Sequence, residues 1–179
     1  CISMTSFYPF EFYHAETLEN TWSSCSGMLT FPEIYCPKVT TIDGAWSNCT
    51  SLTEFPDIDI PLVITTVGSW LNCITLITFP AIDMSNVVDL SLAWSGCTGM
   101  TSFPAINTIS ALSLNSAWSN CISLTSFSAI NPMNVTDFDY AWLSCQSLTS
   151  FPVINTSSAT TMNSTWNGCE NLLSFPSID

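Results

Sequence analysis

The sequence predicts a repeat solenoid: a right-handed coil of about seven and a half turns, with short parallel strands and short helical or 3₁₀ turns. Three observations predict it. Tryptophan stands at Trp22, Trp46, Trp70, Trp94, Trp118, Trp142 and Trp166, always 24 residues apart. Cysteine keeps the same interval at Cys1, Cys25, Cys49, Cys73, Cys97, Cys121, Cys145 and Cys169, with Cys36 the only cysteine off the column. Phenylalanine follows from Phe7 through Phe31 to Phe175, and isoleucine from Ile34 to Ile178, with no insertion or deletion in the 179 residues.

Each element of the unit has a local reason. Apolar residues step by three through Val87, Leu90, Ala93 with Trp94, Cys97, Met100, Phe103 and Ile106. A continuous helix mixes steps of three and four, and a flat strand steps by two, so the pattern suits a chain that turns corners. Proline follows phenylalanine at Pro32, Pro56, Pro80, Pro104, Pro152 and Pro176, where a backbone donor is not needed. Tyr8 and Ser128 are the exceptions. After the inward isoleucine comes Asp59, Asp83, Asn107, Asn131, Asn155 or Asp179, short polar side chains that bond their own backbone and mark a corner. One turn cannot enclose a core, but stacked turns bring equivalent side chains into ladders. The whole of residues 1–179 reads as one uninterrupted array, expected to be a segment of a longer chain or filament.

The composition narrows the partners. Fourteen acidic residues face one lysine, Lys38, and one histidine, His14, for a net charge of −13. Nucleic-acid backbones and anionic membranes are repelled by such a surface. Only 8% of residues are charged, so the polar surface comes from 27 serines, 22 threonines and 13 asparagines. No apolar run reaches the roughly 18–20 residues of a membrane span.

The string A-W-x-x-C-x-x-L-T-S-F-P-x-I-D, with N-V-V-D-L at Asn86 to Leu90 and N-V-T-D-F at Asn134 to Phe138, resembles the bacterial surface-protein leucine-rich repeats called BspA-like. The resemblance covers the whole chain. Tryptophan replaces the usual aromatic before the cysteine, and phenylalanine takes the second leucine position. It implies a leucine-rich-repeat-like coil found in extracellular surface proteins, adhesins and phage or viral fibres, with no catalytic residue to carry over.

The cysteine column reads as buried, reduced, space-filling thiols, with disulfides or metal as weaker readings. A nucleophile needs a base and a partner that lowers its pKa, and C-x₂-C spacing never occurs. Parallel in-register side chains seldom meet the disulfide torsion. Cys36, beside Pro37 at a predicted corner, is a candidate intermolecular thiol. Cys1 could also be a lipidated first residue, but its place in the column explains it without lipid. The sequons at Asn48, Asn134, Asn155 and Asn163 are candidate glycosylation acceptors. Their number is what 49 hydroxyl residues among 179 would give by chance. Asn48, next to a core cysteine, is the poorest of them.

Three surfaces invite other readings. The threonine column Thr5, Thr53, Thr101, Thr125 and Thr149 suggests ice binding, but Leu29, Ile77 and Leu173 interrupt it. The Asp/Asn column offers one oxygen ligand per turn, a weak calcium array. "FYPFEFYHAE", Phe7 to Glu16, is dense in aromatics where other copies carry P-x-I-D: a drifted repeat, a cap, or a contact surface for another chain or a glycan. The last residues, "LLSFPSID", leave the next ladder position open. Asp137 and Asp139 read as solvated corner positions. No cofactor or metal is implied, and no triad, carboxylate pair or phosphate loop survives the repeat test. The expectation is a non-enzymatic extracellular structural or adhesive rod, fibre or filament on a cell or virion surface, associating end to end or continuing into the same chain. The alternative is a carbohydrate- or receptor-binding module, and remotely an ice-binding protein.

Overall fold

The structure is a computed structural model and describes residues 2–6, 8–9 and 11–175. The lipidation reading of Cys1 and the repeat positions Phe7, Phe10, Pro176, Ile178 and Asp179 lie outside the described residues. Residues 24 apart lie over one another: bridges join Thr17 to Thr41, Thr41 to Thr65, Thr65 to Asp89, and so on to Thr161. Every third residue points inward. In one turn, Met84, Val87, Leu90, Ala93, Trp94, Cys97, Met100, Phe103 and Ile106 are all buried. Trp70, Trp94 and Trp118 stack at 5.4 and 5.3 Å with interplanar angles of 2° and 7°. Phe79, Phe103 and Phe127 form a second stack beside them at 5.9 and 5.5 Å.

The expected leucine-rich-repeat-like coil of short parallel strands and short helical or 3₁₀ turns does not form. Among the described residues there is no helix of either kind, and one small open sheet in which β1 (Ser102–Phe103) pairs in parallel with β2 (Ser126–Phe127). Most of the chain is turns and irregular backbone with isolated bridges.

The helical turns fail because the amides alternate between two kinds of partner. Ile42, Gly44, Trp46 and Asn48 donate to Thr65, Val67, Ser69 and Leu71 of the next turn, at 2.7–3.3 Å. Between them, Ala45, Ser47 and Cys49 donate three residues back, to Ile42, Gly44 and Trp46. No two consecutive amides of this stretch bond three or four residues back, so no helix can propagate. Backbone conformation enforces the alternation. Two columns, four residues apart and flanking each tryptophan, hold positive φ: Asn20, Gly44, Gly68, Leu92, Ser116, Tyr140 and Ser164, then Ser24, Asn48, Asn72, Gly96, Asn120, Ser144 and Gly168. Two left-handed residues four apart in each turn interrupt any right-handed helix around the tryptophan. At Gly96, φ 74°, an added Cβ would also collide with Asn72 Oδ1 of the turn before.

The strands are missing for a second reason, visible in the one place they occur. Ser128 stands where other copies carry proline, and its amide donates to Phe103 O at 3.2 Å. Pro56, Pro80, Pro104 and Pro152 have no proton to give at that position, so pairing stops at single bridges such as Thr30 with Glu54.

Candidate functional site

The tryptophan and cysteine columns form one hydrogen-bonded unit. Each tryptophan carbonyl accepts the amide of the cysteine three residues on, as Trp46 O does from Cys49 at 3.1 Å. From Trp22 to Trp142 it accepts as well the thiol of the cysteine 27 residues on: Cys49 to Trp22 at 3.2 Å, Cys73 to Trp46 at 3.3 Å, Cys97 to Trp70 at 3.1 Å. Cys121, Cys145 and Cys169 repeat it with Trp94, Trp118 and Trp142 at 3.2–3.3 Å. The thiol thus supplies a donor to a buried carbonyl as well as filling space. All eight described cysteines are free: Cys25, Cys36, Cys49, Cys73, Cys97, Cys121, Cys145 and Cys169.

Burial makes these thiols poor nucleophiles. It pushes Cys49 and Cys121 up to about 12, and raises Cys73 and Cys97 as well. The last pair differs. The neighbouring Cys169 thiol, together with burial, holds Cys145 up, while the Cys145 thiol draws half-buried Cys169 down. Among the described residues no group of His, Cys, Asp and Glu is placed to hold a metal ion.

Cys36, expected at an exposed corner, is fully buried, with its Sγ 3.7 Å from Asp59 O and its pKa pushed up to about 11 by burial and then by Asp59. It belongs to an inward column of its own with Ile60, Met84, Thr108 and Thr156. The column is hard to see because its residue types change from turn to turn. The indole Nε1 atoms of Trp46, Trp70, Trp94, Trp118, Trp142 and Trp166 are buried without a hydrogen-bond partner. Each of these indoles stands steeply to neighbouring phenylalanines, as Trp70 does to Phe79 at 4.7 Å and 74°. An aromatic face is the acceptor such surroundings offer an N–H.

The sequons occupy different environments. Asn48 is half-buried at φ 59°, and its Nδ2 donates to Ser47 Oγ at 2.9 Å. Asn134 is exposed and donates to Ile109 O at 2.7 Å. Asn155 is exposed, and its Oδ1 accepts from the Ser157 amide and hydroxyl. Exposed Asn163 donates to Asp139 Oδ2 and Thr161 Oγ1, both at 2.9 Å. Asp139 accepts from Thr161 Oγ1 and from the Asn163 side chain and amide, and these bonds hold its carboxyl below the usual range. The hydroxyls of Thr53, Thr125 and Thr149 donate to carbonyls of the preceding turn. Outer polar side chains thus often bond across the turns.

The aromatic-rich first unit builds the least repetitive surface. Tyr35 replaces the corner Asp or Asn and bridges to Glu11 on one side and Asp59 on the other. Tyr13 stands edge-on to it, centroids 5.5 Å apart at 69°, and both rings are about half exposed. Glu11, hydrogen-bonded to the Tyr13 phenol, raises its pKa. Beside them Pro9, Glu11, Glu33, Ile34 and Tyr35 line an open cleft of about 330 Å³. The sequence flagged this segment by composition, but pairing Tyr13 with Tyr35 required the fold.

Neither family models nor curated proteins nor solved structures yield a match to this chain. The resemblance to BspA-like repeats rests on the repeat residues alone.

Proposed function

We propose that this chain is a non-enzymatic structural or adhesive repeat protein, forming a rod, fibre or filament on the outside of a cell or virion. The observation that carries the reading is the fate of the reactive side chains. The thiols of the repeat are spent on tryptophan carbonyls inside the stack, and hydroxyl and amide groups occupy the outside. A shaft needs this arrangement: an inert interior, and a repetitive surface of low charge density. End-to-end association or continuation of the same chain is the partner this reading implies, because alternate amides of each turn donate to carbonyls of the next, as Gly44, Trp46 and Asn48 do to Val67, Ser69 and Leu71.

Electron microscopy of the native protein tests the reading. Ordered end-to-end rods support it; discrete particles at every concentration count against it. A second reading, a carbohydrate- or receptor-binding module, is favoured by the half-exposed Tyr13–Tyr35 pair beside its cleft.

A further inference from the structure

The inward columns are committed to packing, and much of the polar ladder bonds to itself. The cleft beside Tyr13 and Tyr35 differs from both. Its position in the unit is the corner that Asp59, Asp83, Asn107, Asn131 and Asn155 occupy in later turns. There a short side chain closes the turn, as Asp83 Oδ1 does by accepting from the Ser85 amide at 2.9 Å. Tyrosine cannot make that bond, so at Tyr35 the corner loses a turn-forming side chain and gains a half-exposed ring. Tyr13 in turn stands where later copies carry Pro37, Pro61, Ser85, Ile109, Met133 and Ser157. The two aromatic departures from the repeat fall on adjacent turns and touch.

We infer that this cleft is a binding subsite for a neutral pyranose, resting on the binding-module reading above. The Tyr35 ring, with Pro9 and Ile34 beside it, offers an apolar wall for the C–H face of a sugar ring. Glu11 and Glu33, in the same cleft, are acceptors for its hydroxyl protons. An open cleft of about 350 Å³ recurs at the equivalent corner two turns on, lined by Asp57, Ile58, Asp59, Ala81 and Asp83, so it is the aromatic wall and not the volume of about 330 Å³ that sets this cleft apart. Charge sets the selectivity. Glu11 and Asp59 bridge to Tyr35 on either side and Glu33 lines the cleft, so uronic, sialic and sulfated sugars are repelled.

Saturation-transfer NMR on the intact chain tests this, with a panel of neutral methyl pyranosides as probes and a methyl uronoside and tetramethylammonium as controls. The expected result is transfer to pyranoside C–H protons and none to the uronoside. Binding should weaken at least tenfold in Tyr35→Asn, which restores the residue found at Asn107, Asn131 and Asn155. Tyr13→Ser, matching Ser85 and Ser157, should weaken it independently. Pyranosides that bind both variants as they bind the parent chain would overturn the cleft and leave the binding-module reading standing. No pyranoside binding by the parent chain would remove the cleft and the sugar-binding reading together, with the rod untouched. Tetramethylammonium binding in place of sugars would assign the cleft to cations and overturn the inference.

Discussion

Replacing Trp94 by alanine removes the central rung of the aromatic stack. Trp94 is fully buried, stacked on Trp70 and Trp118, with Phe79 and Phe103 edge-on at 5.1 and 4.8 Å. Truncating a core tryptophan costs about 3–5 kcal/mol. Four aromatic contacts at about 0.5–1.5 kcal/mol each push the value to the top of that range. Loss of the buried indole N–H, which an aromatic face partly satisfies, returns about 1 kcal/mol, the low end for a buried donor without a conventional partner. The net expectation is about 4 kcal/mol, the middle of the range for such truncations. With a slope of about 2 kcal/mol per molar urea, the unfolding midpoint followed by circular dichroism falls by about 2 M. Trp166 is the internal control: it is only partly buried and stacks on Trp142 alone. Trp166→Ala should cost about half as much, roughly 2 kcal/mol. Equal losses at the two sites, or a Trp94→Ala loss under about 1 kcal/mol, would refute the reasoning that stacked rungs are the core.

Three further outcomes follow from the same geometry. A small alkylating reagent on the folded chain at mildly alkaline pH should label Cys169 first among the described thiols, read by peptide mass mapping, because it alone is half-buried with a lowered pKa. Stability should fall on the alkaline side. Folded-state values of about 11–12 at Cys36, Cys49 and Cys121 lie above the ordinary 9.0, so their contribution is complete below pH 9 and is lost as pH rises through the folded values; urea midpoints across that window check it. Pro104→Ser should place a new amide toward Phe79 O as Ser128 does toward Phe103 O, seen as slow hydrogen exchange at residue 104. The bond gains about 1 kcal/mol and losing proline costs about 0.4–1 kcal/mol, so stability should change little.

The inward side chains are legible in the sequence because a side chain that must meet its own copy every turn repeats in type: tryptophan, cysteine, phenylalanine and isoleucine keep their identity. Columns with looser packing demands vary, which hid Cys36 among Ile60, Met84 and Thr108. Backbone conformation is less legible. The positive-φ columns hold Gly44, Gly68 and Asn72, as the left-handed region favours, but also Leu92 and Tyr140, whose identity gives no hint of it. Without those columns a step of three reads as helical or 3₁₀ turns, and without the missing amide at each proline the flanking segments read as strands. Ser128 marked the exception in the sequence, though its consequence required seeing Phe103 O opposite it.

The claim that turns of 24 residues are interchangeable rungs is tested most directly by deletion. Removing residues 95–118 joins Trp94 to Ser119 in the correct register. The shortened chain should unfold cooperatively, keep its tryptophan circular-dichroism signal per residue, and lose denaturant sensitivity in proportion to the length removed. Removing residues 95–106 breaks the register and should abolish the fold. Cooperative folding of both chains, or of neither, would contradict the account.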